Sequence, residues 1–418
     1  MSDGLTSGSK QSDGLTSGRK SDGLTLGSKP KKSAEMKKHF DRILNLAEEK
    51  AGEPSASRPG RGKLRVGSDC AGMGSDLAAL TLFGFREQIE TSMWSDSDPD
   101  KRKLYRHVCS LLDLDVSPVC KDMSKRNAAT APSCDVYVAG YPCPSYSVLG
   151  KKKGVQDPRG QIGLYGLEYI CHHKPSCVVL ENVKGLLQKK HQQFRQLIKD
   201  VLEKLGYTLR LKLHSTLDYG IPQSRQRVYI VALLKDAIVT RFHWPKKVEF
   251  KKKWLKEFLD THLRGEPGQR CNIENYVRKY GDRVRQGPYV LDVGSSEAFQ
   301  SAKKYVVPCL TRSRLKGKQT GFFVPKLDRR LTVREAGRLQ GWPEQMLNSL
   351  LKSFDESTVG ASLGDAMSIN VLGKILLECM VSLGHVSREE AAARDHWVNS
   401  ATTRSAADRA WQLFRPRK

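Results

Sequence analysis

The chain lacks several features that define whole classes of protein. It contains no run of about 18 apolar residues, so no membrane-spanning helix is expected. Its polar, repetitive N-terminus argues against a secretory signal. None of its 10 cysteines falls in a Cys-x-x-Cys pair or a zinc spacing, which favours free thiols in a reducing compartment over disulfides or a metal site. A phosphate-binding loop ending in Gly-Lys-Ser/Thr is also missing, so a nucleoside triphosphate is not indicated.

What the sequence has in excess is positive charge. The formal net charge is +26, and residues 238–330 hold 22 Lys and Arg against 9 Asp and Glu, which is half of that excess. A phosphate backbone is the obvious partner for such a segment. A solvated lysine-rich surface is the alternative, and charge alone does not separate the two interpretations.

The first part of the chain reads as a tail. Three near-copies of Ser-Asp-Gly-Leu-Thr occupy residues 2–8, 12–18 and 21–27, with too few apolar side chains to offset chain entropy. The basic cluster at 29–38 fits a nuclear import signal, a weak nucleic-acid contact or a solubilising linker. A short helix over 35–50 and a linker rich in Pro, Gly and Arg at 54–62 are predicted next.

From Leu64 the pattern alternates between strands and helices. Helices are predicted at 159–173 and 191–205. The predicted strands are 64–67, 91–94, 116–120, 136–139, 177–180 and 227–233. This alternation predicts an α/β fold with a parallel sheet covered on both faces.

The rhythm breaks over residues 238–328, which look like a separate, smaller, basic domain. A helix at 331–340 and a turn and helix at 364–375 then resume the earlier pattern, and a surface helix or tail follows residue 385. The predicted organisation is a tail and linker (1–62), the first part of a catalytic domain (63–237), the basic domain (238–328), a return to the catalytic domain (329–384) and a C-terminal segment (385–418).

A thiol, a carboxylic acid and two guanidiniums follow predicted strands or turns. Cys143 follows the strand 136–139, Glu181 follows the strand 177–180, and Arg225 and Arg227 come later. Open α/β sheets place reacting groups at such strand ends. A thiolate can add to an electron-poor ring carbon while the acid and an arginine hold the ring nitrogen and carbonyl. This set of residues predicts an enzyme that makes a pyrimidine ring react.

Each of these residues also has a purely structural interpretation. A lone cysteine is usually a buried thiol, Glu181 could simply pair with an arginine, and Arg225 and Arg227 could bind phosphates. A cysteine protease is disfavoured because no His lies in a matching motif. Their joint occurrence in this order favours the catalytic interpretation.

A second group of residues suggests an adenosine site. Gly72 and Gly74 form a turn after the first predicted strand, and Asp96 and Asp122 close the next two. A carboxylate at a strand end can accept both ribose hydroxyls, and another can accept an adenine amino group. Three loops at one edge of the sheet would therefore hold an adenosine.

With these residues in place, the chain resembles the cytosine-5 DNA methyltransferase family from about Leu64 to Leu376. Seven motifs occur in the family's order. They lie at Ala71-Gly72 with Gly74; at Gly140, Pro142, Cys143 and Ser147; at Asp157–Gly160; at Glu181–Val183; at Gln223, Arg225 and Arg227; at Leu331–Pro343; and at Gly364, Ala366 and Ile369–Val371.

The resemblance implies a Rossmann-like methyltransferase sheet, with residues 238–328 as a small basic target recognition domain. It implies S-adenosyl-L-methionine as cofactor, no metal, and double-stranded DNA as partner of a monomer. The lysine clusters suggest the nucleus if the source is eukaryotic. The implied catalytic residues are Cys143, Glu181, Arg225 and Arg227. The implied cofactor-binding residues are Cys70, Ala71, Gly72, Gly74, Asp96, Asp122, Pro142 and Asn370.

Six positions depart from the family pattern: Tyr141 and Pro144 beside the nucleophile, and four at the cofactor site. Ser68 stands where an Asp is usual, and Cys70 and Ser97 replace aromatic residues that flank adenine. Asp365 replaces an Asn near the methionine end of the cofactor, where its charge would repel the cofactor carboxylate. Two rival hypotheses therefore remain: a tRNA cytosine-5 methyltransferase on the same fold, and a catalytically inactive nucleic-acid-binding homologue.

Overall fold

A seven-stranded sheet lies at the centre of the part of the chain that the structure describes. This computed structural model describes residues 29–56, 62–116, 119–141, 161–252, 254–264, 271–397 and 404–416. The N-terminal repeats, Pro142, Cys143 and the motif at 157–160 lie outside these ranges, as does part of the linker at 54–62.

The strands of this sheet run in the order β3-β2-β1-β4-β5-β7-β6. Their bounds are β1 (Leu64–Asp69), β2 (Ile89–Ser95), β3 (Val119–Cys120), β4 (Val136–Gly140), β5 (Cys177–Val183), β6 (Tyr207–Ser215) and β7 (Gln226–Leu234). Strands β1 to β5 are parallel to one another, whereas β7 is antiparallel to both β5 and β6.

The prediction of a wholly parallel sheet is therefore wrong at one edge. Strand β6 was not predicted because Arg210 and Lys212 interrupt its leucines and both side chains are exposed. The link from β6 to β7 holds only a short 3-10 turn at Thr216–Tyr219, with no helix to carry the chain back across the sheet. Without such a crossover, neighbouring strands pair antiparallel.

Both faces of the sheet are buried, because alternate residues of its central strands point to opposite sides. Val136 and Val138 of β4 pack into one hydrophobic cluster with Val179 of β5. Tyr137 and Ala139, their neighbours along β4, pack into a second cluster on the other face. The carboxyl ends of the parallel strands therefore emerge from a rigid, two-sided core.

Helices cover both faces. Helix α13 packs on α2, and α1 packs on α4 and α5. The helix bounds are α1 (Lys29–Lys50), α2 (Ser75–Leu82), α3 (Pro99–Leu111), α4 (Ile162–His173), α5 (Gln192–Lys204), α6 (Trp254–Phe258), α7 (Glu274–Tyr280), α8 (Arg283–Gln286), α9 (Arg312–Leu315), α10 (Val333–Arg338), α11 (Glu344–Ser353), α12 (Glu356–Asp365), α13 (Ile369–Ser382), α14 (Arg388–Arg394) and α15 (Arg404–Phe414). No helix among the described residues is both long and apolar enough to cross a membrane.

A second, four-stranded antiparallel sheet lies in the basic segment. It runs in the order β11-β10-β8-β9, where β8 is Tyr289–Asp292, β9 is Ala302–Lys304, β10 is Phe322–Val324 and β11 is Arg329–Arg330. It shares a small apolar cluster with helices α7 and α8, which includes Tyr276, Val284 and Leu291. Strand β11 lies just beyond the predicted end of this segment at 328.

The C-terminal segment is packed rather than tail-like where the structure describes it. Ala406, Ala410 and Trp411 of α15 are buried. The indole N–H of Trp411 donates to Gln345 on α11. This helix therefore belongs to the hydrophobic core of the catalytic domain.

Candidate active site

A cavity of about 700 Å³ opens at the carboxyl edge of the parallel strands. The ends of β1, β2, β4 and β5 form its floor, and the turn after α12 and the start of α9 form its wall. Among the described lining residues are Ser68, Asp69, Cys70, Ala71, Gly72, Asp96, Ser97, Asp98, Lys101, Gly140, Tyr141, Glu181, Arg312, Ser313, Lys316, Asp365 and Met367. This is the place where open α/β sheets bind ligands.

The turn after β1 is tight and is held by the neighbouring strand. Cys70, Gly72 and Gly74 have φ values of 52°, 59° and 81°, in the left-handed region that glycine adopts most easily. The Gly72 N–H donates to Asp96 Oδ2 at 2.9 Å. Gly74 lies against Tyr105, precedes α2 and is not among the residues lining the cavity.

Asp96 faces the cavity from the end of β2. Burial raises the pKa of its carboxyl, and the nearby Lys101 opposes that rise. Its other oxygen, Oδ1, accepts from the Asp98 N–H at 2.9 Å. Burial also raises the pKa of the Cys70 thiol well above its usual range, so this cysteine lines the cavity as a neutral thiol.

Two predicted cofactor-binding residues, Asp122 and Asn370, make hydrogen bonds outside the cavity. Asp122 accepts from the Ser124 N–H at 3.0 Å and caps a single 3-10 turn. Asn370 is fully buried, and its amide donates to the Tyr219 carbonyl at 2.8 Å. Neither side chain is among those lining the cavity. In this structure both side chains hold loops around the cavity, and their contact with cofactor stays a prediction.

Glu181 and Arg227 form an ion pair at the end of β5. Arg227 lies at the start of β7, and its Nε is 3.1 Å from Glu181 Oε1. The Arg227 side chain is 13% exposed and the Glu181 side chain is 6% exposed. Burial raises the pKa of Glu181, while the charges of Arg227 and Arg225 oppose that rise. A raised pKa is the direction that a carboxyl needs to serve as a proton donor.

Arg225 occupies a different position from Arg227. Its guanidinium is buried and donates to the carbonyls of Leu310 at 2.7 Å, Ala366 at 2.7 Å and Gly364 at 3.2 Å. These carbonyls belong to the segment before α9 and to the end of α12. In this structure Arg225 ties three segments around the cavity and contributes positive charge near Glu181, and its role of holding a substrate carbonyl stays a prediction.

Cys143 and Pro142 lie outside the described residues, but the strand that precedes them is placed. Gly140, the last residue of β4, is paired with Glu181 in the sheet. Tyr141 follows it and lines the cavity. The chain therefore leaves the sheet at Tyr141, beside the Glu181–Arg227 pair.

A network of four charged residues at the rim was not predicted. Arg312 lies 3.2 Å from Asp98 and 3.0 Å from Asp365, and Lys101 lies 2.7 Å from Asp365. Asp365 is therefore matched by two cations, which offset the charge expected to repel a ligand carboxylate. No sequence pattern indicates this network, because its members lie at or near α3, α9 and α12, which are distant in the sequence.

The comparisons with known proteins agree with this geometry. A family model described as C-5 cytosine-specific DNA methylase matches residues 68–380. The type II methyltransferase M.HhaI of Haemophilus parahaemolyticus is 28% identical over 261 residues, covering 60% of this chain and 77% of that protein. The type II methyltransferase M.DsaV of Dactylococcopsis salina is 31% identical over 264 residues, covering 61% of this chain and 71% of that protein.

Solved structures show the same fold. The Dnmt2 methyltransferase of S. pombe superposes with a TM-score of 0.54 at 20% identity, covering 76% of this chain and 98% of that one. A putative DNA modification methyltransferase from an E. coli prophage gives 0.51 at 18% identity, covering 78% and 100%. The predicted Rossmann-like methyltransferase fold is confirmed. The chain belongs to the C-5 cytosine-specific DNA methylase family and is a DNA cytosine-5 methyltransferase.

Proposed function

We propose that this protein methylates carbon 5 of cytosine in double-stranded DNA through a covalent adduct with Cys143, using S-adenosyl-L-methionine bound in the cavity. The observation that carries the proposal is the buried Glu181, which is paired with Arg227 and lines the same cavity as Asp96. An acid for the ring and a binding site for a methyl donor thus share one space.

The donor set of the cavity fits S-adenosyl-L-methionine. Asp96 offers a carboxylate to ribose hydroxyls at a strand end, as in other Rossmann-like sheets. At the rim, Asp365 suits an ammonium group and Lys101 suits a carboxylate. The lining residues Cys70 and Ser97 are small, so the adenine ring would lie between a thiol and a hydroxyl instead of two aromatic faces.

The reaction follows from the chemistry of the protein's own residues. The Cys143 thiolate adds to ring carbon 6, and protonated Glu181 donates to ring nitrogen 3. Arg227 holds Glu181 in place and donates to the 2-carbonyl, which stabilises the charge that develops on the ring. Bound S-adenosyl-L-methionine supplies the methyl group that carbon 5 takes up. Loss of the carbon-5 proton to water then expels the Cys143 thiolate.

Duplex DNA fits the basic recognition segment. Lys246, Lys247, Lys303, Lys304 and Lys318 are all exposed there. Lysines on such a surface neutralise phosphates and hold the duplex while the target cytosine swings out of the stack. Flipping the base out costs about a few kcal/mol of stacking free energy, as in other base-flipping enzymes. We propose that the protein acts as a monomer and, in a eukaryotic cell, in the nucleus, to which the lysine cluster at 29–38 would direct it.

The proposal is tested by incubating the full chain with methyl-labelled S-adenosyl-L-methionine and either duplex DNA or tRNA. We expect label in duplex DNA, recovered as 5-methylcytosine after digestion, and none with Cys143→Ala. Label in tRNA alone would show that the substrate is tRNA and would support the rival hypothesis. Absence of label in both, with the cofactor bound, would favour the inactive homologue.

A further inference from the structure

Arg312 joins the recognition segment to the rim of the cavity. It begins α9, and its guanidinium reaches Asp98 at the N-terminus of α3 and Asp365 at the end of α12. Asp98 and Asp365 lie 267 positions apart in the sequence but share this one partner. A planar guanidinium can serve two carboxylates at once, which an ammonium at the end of a flexible chain does less well.

The backbone at Arg312 is held close to α12, so the side chain starts from a fixed point. A Cβ added at Gly364 would lie 2.3 Å from the Arg312 nitrogen, and one at Gly360 would lie 2.4 Å from the Leu315 carbonyl oxygen. Only glycine allows this backbone-to-backbone approach. Both ends of α9 are therefore seated against the catalytic domain.

The recognition segment completes the cavity. Arg312, Ser313 and Lys316 line it together with residues of the sheet edge and of the turn after α12. The Arg312, Asp98 and Asp365 side chains are 40%, 27% and 37% exposed, so this part of the wall faces solvent. Half-exposed ion pairs are weak and break and re-form readily, unlike the buried pair at Glu181.

We propose that Arg312 is a positioning residue that closes the cavity over S-adenosyl-L-methionine by clasping Asp98 to Asp365. The proposal rests on the proposed function, since it assigns the cavity to that cofactor. The clasp slows cofactor release and links cofactor retention to the placement of the recognition segment. It takes no part in the chemical step.

The test measures S-adenosyl-L-methionine binding to the full chain by calorimetry and its release by stopped flow. Arg312→Ala is expected to raise the dissociation constant about five-fold through faster release, the size of effect that an ion-pair cluster of this exposure supports. The KM for the cofactor should rise by the same factor while kcat is unchanged. Arg312→Lys, with a single ammonium, should give an intermediate value.

Arg285→Ala is the matched control. Arg285 also lies in the recognition segment, is 43% exposed and contacts two carboxylates, those of Glu274 at 2.6 Å and Asp282 at 3.6 Å. It is not among the residues lining the cavity. This variant should bind the cofactor as the unaltered protein does.

Asp98→Asn provides a second route to the same conclusion. Asp98 caps α3 by accepting from the Asp100 N–H at 3.0 Å, and Asn caps a helix equally well, so this change removes the charge and keeps the helix start. Its effect should not add to that of Arg312→Ala, because the two changes break one contact.

Three results would overturn the clasp. Unchanged release from Arg312→Ala, with normal binding by the unaltered protein, would remove the clasp and leave the proposed function standing. Weaker DNA binding with unchanged cofactor affinity would make Arg312 a phosphate contact instead. Failure of the unaltered protein to bind S-adenosyl-L-methionine would remove the proposed function and the clasp with it.

Discussion

The two ends of the cavity are built in different ways. At the catalytic end, the Glu181–Arg227 pair is almost fully buried at the junction of β5 and β7. At the rim, Asp98, Lys101, Arg312 and Asp365 form a network that is open to solvent on one side. Burial makes the first pair rigid and shifts the pKa of its acid, whereas exposure keeps the second network weak and reversible.

This difference teaches where the family pattern holds and where it does not. Glu181 and Arg227 match the family motifs. Replacing either one would leave the charge of the other buried and unpaired. Asp365 and Ser97 depart from the pattern at the solvent side of the cavity, whereas Ser68 and Cys70 depart from it on the buried side. A changed charge at the solvent side finds new partners, as Asp365 does in Lys101 and Arg312.

The largest effect is expected at the catalytic end. Glu181→Gln removes the proton that stabilises the ring, and we expect methyl transfer to slow by about 10²- to 10⁴-fold, the usual contribution of a general acid. Cofactor affinity should not change. Glu378→Gln is the control, because Glu378 also pairs with an arginine, at 2.6 Å, but lies on α13 away from the cavity. A Glu181→Gln enzyme of normal rate would contradict the role of Glu181.

The pH dependence of the rate follows from the same acid. Burial raises the pKa of Glu181, so the proton donor is present below that pKa and is lost above it. The single-turnover rate should therefore fall as the pH rises through this value. Arg227→Ala removes a charge that opposes the rise, so the midpoint of the fall should move to higher pH. A midpoint that moves to lower pH would contradict the electrostatic assignment.

Arg225 tests whether the two arginines of the motif differ. Its guanidinium satisfies three buried carbonyls, so Arg225→Ala should lower the free energy of unfolding by about 3 kcal/mol in denaturant titrations. Arg210→Ala, on the exposed edge strand, should change it by less than about 0.5 kcal/mol. Equal stabilities for the two variants would show that Arg225 does not tie the segments together.

A smaller effect is expected at the cofactor turn. Asp96→Asn keeps one acceptor for the Gly72 N–H but loses the carboxylate, and the KM for S-adenosyl-L-methionine should rise about ten-fold with kcat unchanged. Asp100→Asn is the control, since Asp100 pairs with Lys103 at 3.2 Å and does not line the cavity. A fall in kcat for Asp96→Asn would place Asp96 in the chemical step instead.

The sequence predicted the local features of this molecule better than the distant ones. Strands β4 and β5 are short apolar runs, so their ends at Gly140 and Glu181 could be located from pattern alone. Strand β6 could not, because Arg210 and Lys212 on an exposed edge hide the alternation of its leucines. Without β6, the antiparallel edge of the sheet could not be predicted either.

The site divides in the same way. Asp96 and Glu181 could be predicted because each follows a recognisable apolar strand. In the structure, both side chains line the cavity. Asp122 ends a strand too, yet it caps its own turn, and only the packing of that loop decides between these outcomes. Arg312 and Lys101 meet Asp365 through tertiary structure alone, so no local pattern could reveal them. The role of Cys143 stays a prediction from the motif.

The central claim is that Cys143 attacks a cytosine held beside Glu181, and covalent trapping tests it most directly. Duplex DNA carrying 5-fluorocytosine would be incubated with the full chain and S-adenosyl-L-methionine, then resolved on a denaturing gel. Fluorine cannot leave as a proton does, so we expect a stable protein–DNA band that Cys143→Ala abolishes. A band that persists in Cys143→Ala, or none from a chain that binds both DNA and cofactor, would contradict the claim.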